Sequence, residues 1–130
     1  MHRSQLGGFI IDCQTDDIEA ASTFWGEALG MKPGPGSEPG QPGYAGYARP
    51  DNGFNIEVQS VEHASRIHID IETDNIEAEA ARLERLGAKR IKAVRDWVVM
   101  EAPTGQRFCL VPAFRENFLK EANIWEVPHA

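Results

Sequence analysis

The sequence is poor in the features that mark several functional classes. It has two cysteines in 130 residues, Cys13 and Cys109. Both fall inside apolar, strand-like runs, and no zinc-type spacing joins them. Buried, reduced thiols in a cytoplasmic protein are therefore expected, with no support for a disulfide framework. No apolar run approaches the roughly 20 residues that a membrane span needs. The opening MHRSQLGGFIIDC has no signal-peptide core followed by a cleavage site. Basic residues are scarce: 13 Lys and Arg against 20 Asp and Glu give a formal net charge of -7. That balance argues against nucleic acid or an anionic membrane as the main partner. What remains is an ordinary soluble composition, 42% hydrophobic and 25% charged, long enough to bury its own core.

What is present is a repeat. IIDCQTDDIEA, Ile10 to Ala20, lies over HIDIETDNIEA, His68 to Ala78, at an offset of 68 − 10 = 58 residues, and seven of the eleven positions are identical. Each segment reads as a strand running into an amphipathic helix that closes on Leu-Gly, at Leu29-Gly30 and Leu86-Gly87. Asp16 and Asp74 are placed to cap those helices, with Glu19 and Glu77 three residues on. Gly30 and Gly87 suit left-handed C-caps. Both halves continue as strand, Gly-containing turn, strand: Gly43 to Val61, then Asp96 to Pro112. Lys89 to Val94 adds a strand to the second half, and its counterpart in the first is expected near Met31 and Lys32. The Pro/Gly stretch from Pro33 to Gly43 reads as loop.

The spacing therefore predicts an α+β fold of two βαβββ modules in pseudo-twofold pairing, with mixed sheets forming a cup-shaped cleft and helices outside. Module one covers 7–61 and module two 65–112, together one domain over 7–112. The remainder, 113–130, is expected to dock a short helix carrying Phe114, Phe118, Leu119 and Ala122. His2, His63 and His129 carry no motif.

Strand periodicity then sorts the candidate residues. In RIHIDIETD, Ile67, Ile69 and Ile71 share one face and His68, Asp70 and Glu72 the other. Alternation alone would turn the polar face to water. The repeat instead assigns the apolar face to the second helix and turns the polar face inward. By the same logic Phe9, Ile11 and Cys13 face the first helix, and Ile10, Asp12 and Gln14 face inward. Asp12 and Asp70 are equivalent, and paired inward carboxylates are candidates for acid/base chemistry. Trp97 and Arg107 flank the same region and are candidates to stack on a ligand and bind its carboxylate. Glu72 joins them as a candidate ligand contact.

The paired units, TDDIEAASTFWGEALG, HIDIETDNIEAEAARLERLGAK and the closing VVMEAPTGQRFCLVP, resemble the vicinal oxygen chelate superfamily. This is the glyoxalase, bleomycin-resistance and extradiol-dioxygenase group. The resemblance implies a metal position on the first and last strand of each module. Here those positions hold Ile10, Glu57, His68 and Cys109, so the implied ligands are Glu57, His68 and, as a thiolate, Cys109. The implied ion is divalent: zinc, manganese, iron or nickel. The resemblance also implies a homodimer. Two functions stay open. One is a metal-free cup that binds a small molecule. The other is a metal-dependent lyase, isomerase or dioxygenase acting on a small oxygenated substrate through His68 and Glu57. A third reading is a degenerate domain whose main role is dimerisation or regulation.

Overall fold

The computed structural model describes residues 1–34 and 43–126. Both repeated segments run from strand into helix, and the fold is mixed α+β, with eight strands and three helices among the described residues. The chain divides into two compact units, Gly8–His68 and Met1–Gly7 with Ile69–Ala130.

In the unit Gly8–His68, the later part of β1 (His2–Gln14) runs parallel to β3 (Asn55–Val61), with Ile10 opposite Glu57 and Asp12 opposite Gln59. β2 (Tyr44–Gly46) pairs antiparallel with β3, setting Tyr44 against Gln59. Helix α1 (Ile18–Leu29) packs on β2 and β3. Its core is Ile11, Tyr47 and Val58, with Cys13, Ile18, Ala21, Trp25, Met31 and Ile56 around it. Of the expected helix-facing Phe9, Ile11 and Cys13, Ile11 and Cys13 belong to this cluster, while Phe9 packs edge-on against Phe54, 5.7 Å between ring centres. Capping differs from expectation: Asp17, not Asp16, accepts the Ala20 N–H at 3.1 Å. The reason is local. Thr15 Oγ1 accepts the Asp17 N–H and holds a tight turn that starts the helix one residue later. Gly30 closes α1 in the left-handed conformation, φ 69°. The strand expected near Met31 and Lys32 shrinks to a single bridge between Pro33 and Tyr47, since proline has no N–H to continue a ladder.

In the other unit, the end of β4 (Arg66–Thr73) runs parallel to β7 (Arg107–Pro112), with Asp70 opposite Cys109. β6 (Trp97–Glu101) pairs with β7, and β5 (Lys89–Val94) with β6. Helix α2 (Ile76–Arg85) starts on Asn75, whose side chain accepts the Ala78 N–H; Asp74, the expected cap, instead accepts the Arg3 N–H at 2.7 Å. Glu77 does not reach back to a cap either. It pairs with Arg90 on β5 at 2.8 Å, which holds its carboxyl below the usual range. The core is Ala80, Met100, Phe108 and Leu110, with Ile71, Ile76 and Leu83 against it.

The expectation for the apolar face of β4 holds only at its end. Ile71 is packed, but Ile67 is 62% exposed and Ile69 39%. Helix α2 packs on β5, β6 and β7, and of the three isoleucines Ile71 is the one that joins the core beneath it.

The tail does more than dock a helix. α3 (Phe118–Glu121) buries Phe118, and the chain then adds β8 (Asn123–Trp125), antiparallel to the start of β1. Leu119 stays exposed. Trp125 donates its indole N–H to Ser4 Oγ and lies under the Arg82 guanidinium, 3.8 Å from the ring centre. Arg82 in turn makes two hydrogen bonds to Glu79, which His2 contacts at 2.8 Å. His2, given no role from sequence, is thus part of a buried charged cluster.

Candidate functional site

The register builds one polar face in the unit Gly8–His68. Residues paired across a ladder share a face, and alternate residues along a strand do too. Ile11, Cys13, Ile56 and Val58 face α1. Ile10 and Asp12 on β1, Asn55, Glu57 and Gln59 on β3, and Tyr44 on β2 therefore share the face opposite the helix. Contacts agree with that assignment. Asn55 donates to Glu57 Oε1 at 3.1 Å, and Gln59 donates to the Tyr44 hydroxyl at 2.8 Å.

His68 joins this face through Asp12. Its Nδ1 lies 2.7 Å from Asp12 Oδ2, and both side chains are largely buried, 11% and 2% exposed. The Arg66 Nε approaches the same oxygen at 3.7 Å. The other oxygen, Asp12 Oδ1, is buried with no hydrogen-bond partner among the described residues. Such an atom carries a desolvation cost that a donor would remove. A cavity of about 260 Å³ is lined by Ile11, Asp12, Cys13, Trp25, Ser65, Arg66 and Ile67. Burial and the nearby Asp12 charge raise the Cys13 thiol above its ordinary pKa, against a lowering bond from Trp25, so Cys13 is no ready nucleophile.

The remaining candidates lie in the other unit. Asp70 is 8% exposed and is the register partner of Cys109. Both cysteines are free thiols. Glu72 is fully buried and engaged: Arg115 Nε donates to Oε2 at 3.1 Å, the Arg115 backbone N–H and Gln5 donate to Oε1, and Arg115 also bonds the Leu6 carbonyl. Arg107 pairs with Glu101 at 3.1 Å across its own hairpin. Trp97 is half-buried at the start of β6.

The implied metal positions divide between the units. Ile10, Glu57 and His68 belong to one and Cys109 to the other. Ile10, apolar and 4% exposed, supplies no donor. Glu57 and His68 are donors that suit a divalent ion.

Paired strand–helix modules carrying a carboxylate–imidazole pair on the sheet face opposite the helix define a glyoxalase-like protein of the vicinal oxygen chelate class. The chain belongs to the glyoxalase-like domain family, whose model matches residues 8–111. Solved structures share the fold. A hypothetical protein, BH1468, from Bacillus halodurans C-125 superposes with a TM-score of 0.63 at 15% identity, covering 85% of this chain and 94% of that one. Methylmalonyl-CoA epimerase from Mycobacterium tuberculosis gives 0.56 at 17%, covering 83% and 87%. A methylmalonyl-CoA epimerase in complex with methylmalonyl-CoA and NH4+ gives 0.56 at 12%, covering 87% and 98%. No curated protein matches the chain significantly. No helix among the described residues is long and apolar enough to cross a membrane.

Proposed function

We propose that this chain binds a small oxygenated molecule on the polar face of Tyr44, Glu57, Gln59, Asp12 and His68. The observation that carries the reading is the Asp12–His68 pair, two ionisable side chains kept largely out of water on that face. Burying such groups costs stability unless they serve a ligand or each other. The neighbouring epimerase that holds methylmalonyl-CoA is a precedent for a small oxygenated ligand on this fold. His68 and Asp12 would contact the ligand's polar atoms.

A metal-dependent lyase, isomerase or dioxygenase is the second reading. It is favoured by the His68 Nδ1 contact, because a metal-bound imidazole commonly gives its other nitrogen to a carboxylate. Glu57 and His68 would hold the ion, which would polarise a ligand oxygen. The homodimer belongs to this proposal too. Phe118 and Trp125 are covered within their own unit, and exposed Leu119 and Phe114 are what would remain for a partner. Light scattering at micromolar concentration tests it, and a monomer there would remove it.

The main test is thermal shift against small carboxylates, catechols and methylmalonyl-CoA, using wild type and His68→Leu. A compound that raises Tm in wild type and not in the variant supports the reading. Equal shifts in both, or none in wild type, defeat it. Elemental analysis of protein purified without added metal or chelator separates the two readings: stoichiometric zinc, manganese, iron or nickel selects the enzyme.

A further inference from the structure

The cavity lined by Trp25, Arg66 and Ile67 lies apart from Tyr44, Glu57 and Gln59 of the polar face. We infer that it is a second binding site and takes a small zwitterion, an α-amino acid with an apolar side chain. Asp12 receives the ammonium, Arg66 and Ser65 the carboxylate, and Trp25 and Ile67 the side chain. Asp12 is the one residue common to both sites, and the inference holds whether or not the polar face binds anything.

Size comes first. A volume of about 260 Å³ exceeds the roughly 150 Å³ that holds benzene in an apolar protein interior. One ring or one branched chain with a polar head fits. The lining is of two kinds. Ile11, Trp25 and Ile67 are apolar, and Ile67 is largely exposed, which an apolar ligand group would relieve. Asp12, Ser65 and Arg66 are polar, and each keeps unused capacity. Asp12 gives Oδ2 to His68 at 2.7 Å, while Oδ1 is buried without a hydrogen-bond partner among the described residues. Arg66 Nε stands 3.7 Å from Oδ2, beyond hydrogen-bond length, and one terminal nitrogen meets His63 Nε2 at 3.2 Å. Most of its five N–H groups are left for a ligand. Ser65 Oγ accepts the Gln14 N–H at 2.9 Å, which leaves its own hydrogen to donate.

The Asp12–Arg66 approach sets opposite charges side by side at this cavity. That arrangement selects both ends of a ligand. A cation alone satisfies Asp12 but meets the Arg66 charge. An anion alone satisfies Arg66 but meets the Asp12 carboxylate. A zwitterion escapes both penalties and supplies the donor that the buried oxygen lacks.

The experiment is a tryptophan-fluorescence titration with L-phenylalanine, with phenethylamine, which lacks the carboxylate, and with phenylpropanoate, which lacks the ammonium. L-Phenylalanine should change the emission with a Kd of about 1 mM or tighter. Each analogue should bind about tenfold more weakly, as expected for one lost charged hydrogen bond. That comparison uses wild type and needs no variant to fold. Arg66→Gln, at a half-exposed position, should lower L-phenylalanine to the level of phenethylamine. Trp25→Phe should remove the emission change. No response to L-phenylalanine at about 10 mM overturns the inference. So does an analogue that binds as tightly, or unaltered affinity in Arg66→Gln. An emission change that survives Trp25→Phe overturns it as well, because the reporter would then be Trp97 or Trp125. The polar-face reading is tested through its own ligand screen, so either can fail alone.

Discussion

Gln14 and Glu72 occupy the same place in the two repeats, four residues past Ile10 and His68, yet they meet opposite fates. Gln14 is exposed at the end of β1 and bonds the Glu62 carbonyl. Glu72 has no exposed surface and is clamped by Arg115, Gln5 and a backbone N–H. The repeated strand is not what differs. The second copy has a tail after it, and that tail delivers a guanidinium that the first copy never receives. A polar face written twice thus becomes an exposed amide in one unit and a buried ion pair in the other. The lesson is that a buried carboxylate in this fold is a ligand candidate only after its partners are counted.

Breaking that pair should give the largest effect. Arg115→Met leaves Glu72 buried without its cation and should cost about 3–5 kcal/mol in urea unfolding. The double variant Arg115→Met with Glu72→Leu should recover most of it. Gln14→Ala, the matching change in the first copy, should stay within about 0.5 kcal/mol. Comparable losses in the two single variants would end the contrast.

Adjacent glycines sharpen it next. A Cβ on Gly8 would lie 2.1 Å from the Asn55 carbonyl oxygen, whereas one on Gly7 would meet Glu72 at 3.2 Å. Gly8→Ala should therefore cost at least about 1–3 kcal/mol, the range of overpacking in a close-packed site. Gly7→Ala should cost less, because its approaches of 3.2 and 3.3 Å to Glu72 need a shift of only a few tenths of an ångström. Chemical denaturation of the two variants decides the order.

Capping comes third. Asp17→Ala and Asn75→Ala should each lose about 1 kcal/mol, as N-caps do. Asp16→Ala should lose about 0.5 kcal/mol or less, as an exposed residue without a cap role. A larger loss at Asp16 would restore the earlier helix start.

Glu79 gives the smallest and most conditional effect. Burial pushes its carboxyl up, but bonds from Arg82, Ser4 and His2 outweigh it and hold the pKa below its ordinary value. A depressed pKa means stability present above the ordinary carboxylate range and lost as pH falls through the folded value. The advantage of wild type over Glu79→Gln in thermal melts should accordingly shrink on acidification below about pH 4, near the ordinary glutamate pKa. A constant gap down to pH 2 would count against the assignment.

Sequence alone determined the strand–helix repeat, both helices and the hairpins. These are local patterns: apolar spacing, a small polar cap and a glycine stop need only near neighbours. It also placed Asp12 and His68 on strand faces away from Ile11 and Ile71. Errors of one residue at both caps have separate causes: Thr15 Oγ1 accepts the Asp17 N–H and fixes the turn before α1, and the Arg3 N–H takes the Asp74 carboxylate before α2. Tertiary structure decided the rest. Asp12 and His68 are 56 residues apart, and Glu72 and Arg115 are 43. Nothing in either strand specifies that one carboxylate meets an imidazole and the other a guanidinium. His2 and Glu79, 77 residues apart, were equally invisible. Periodicity tells a side chain which way to face. Only the folded chain, by bringing distant segments together, tells it what it will touch.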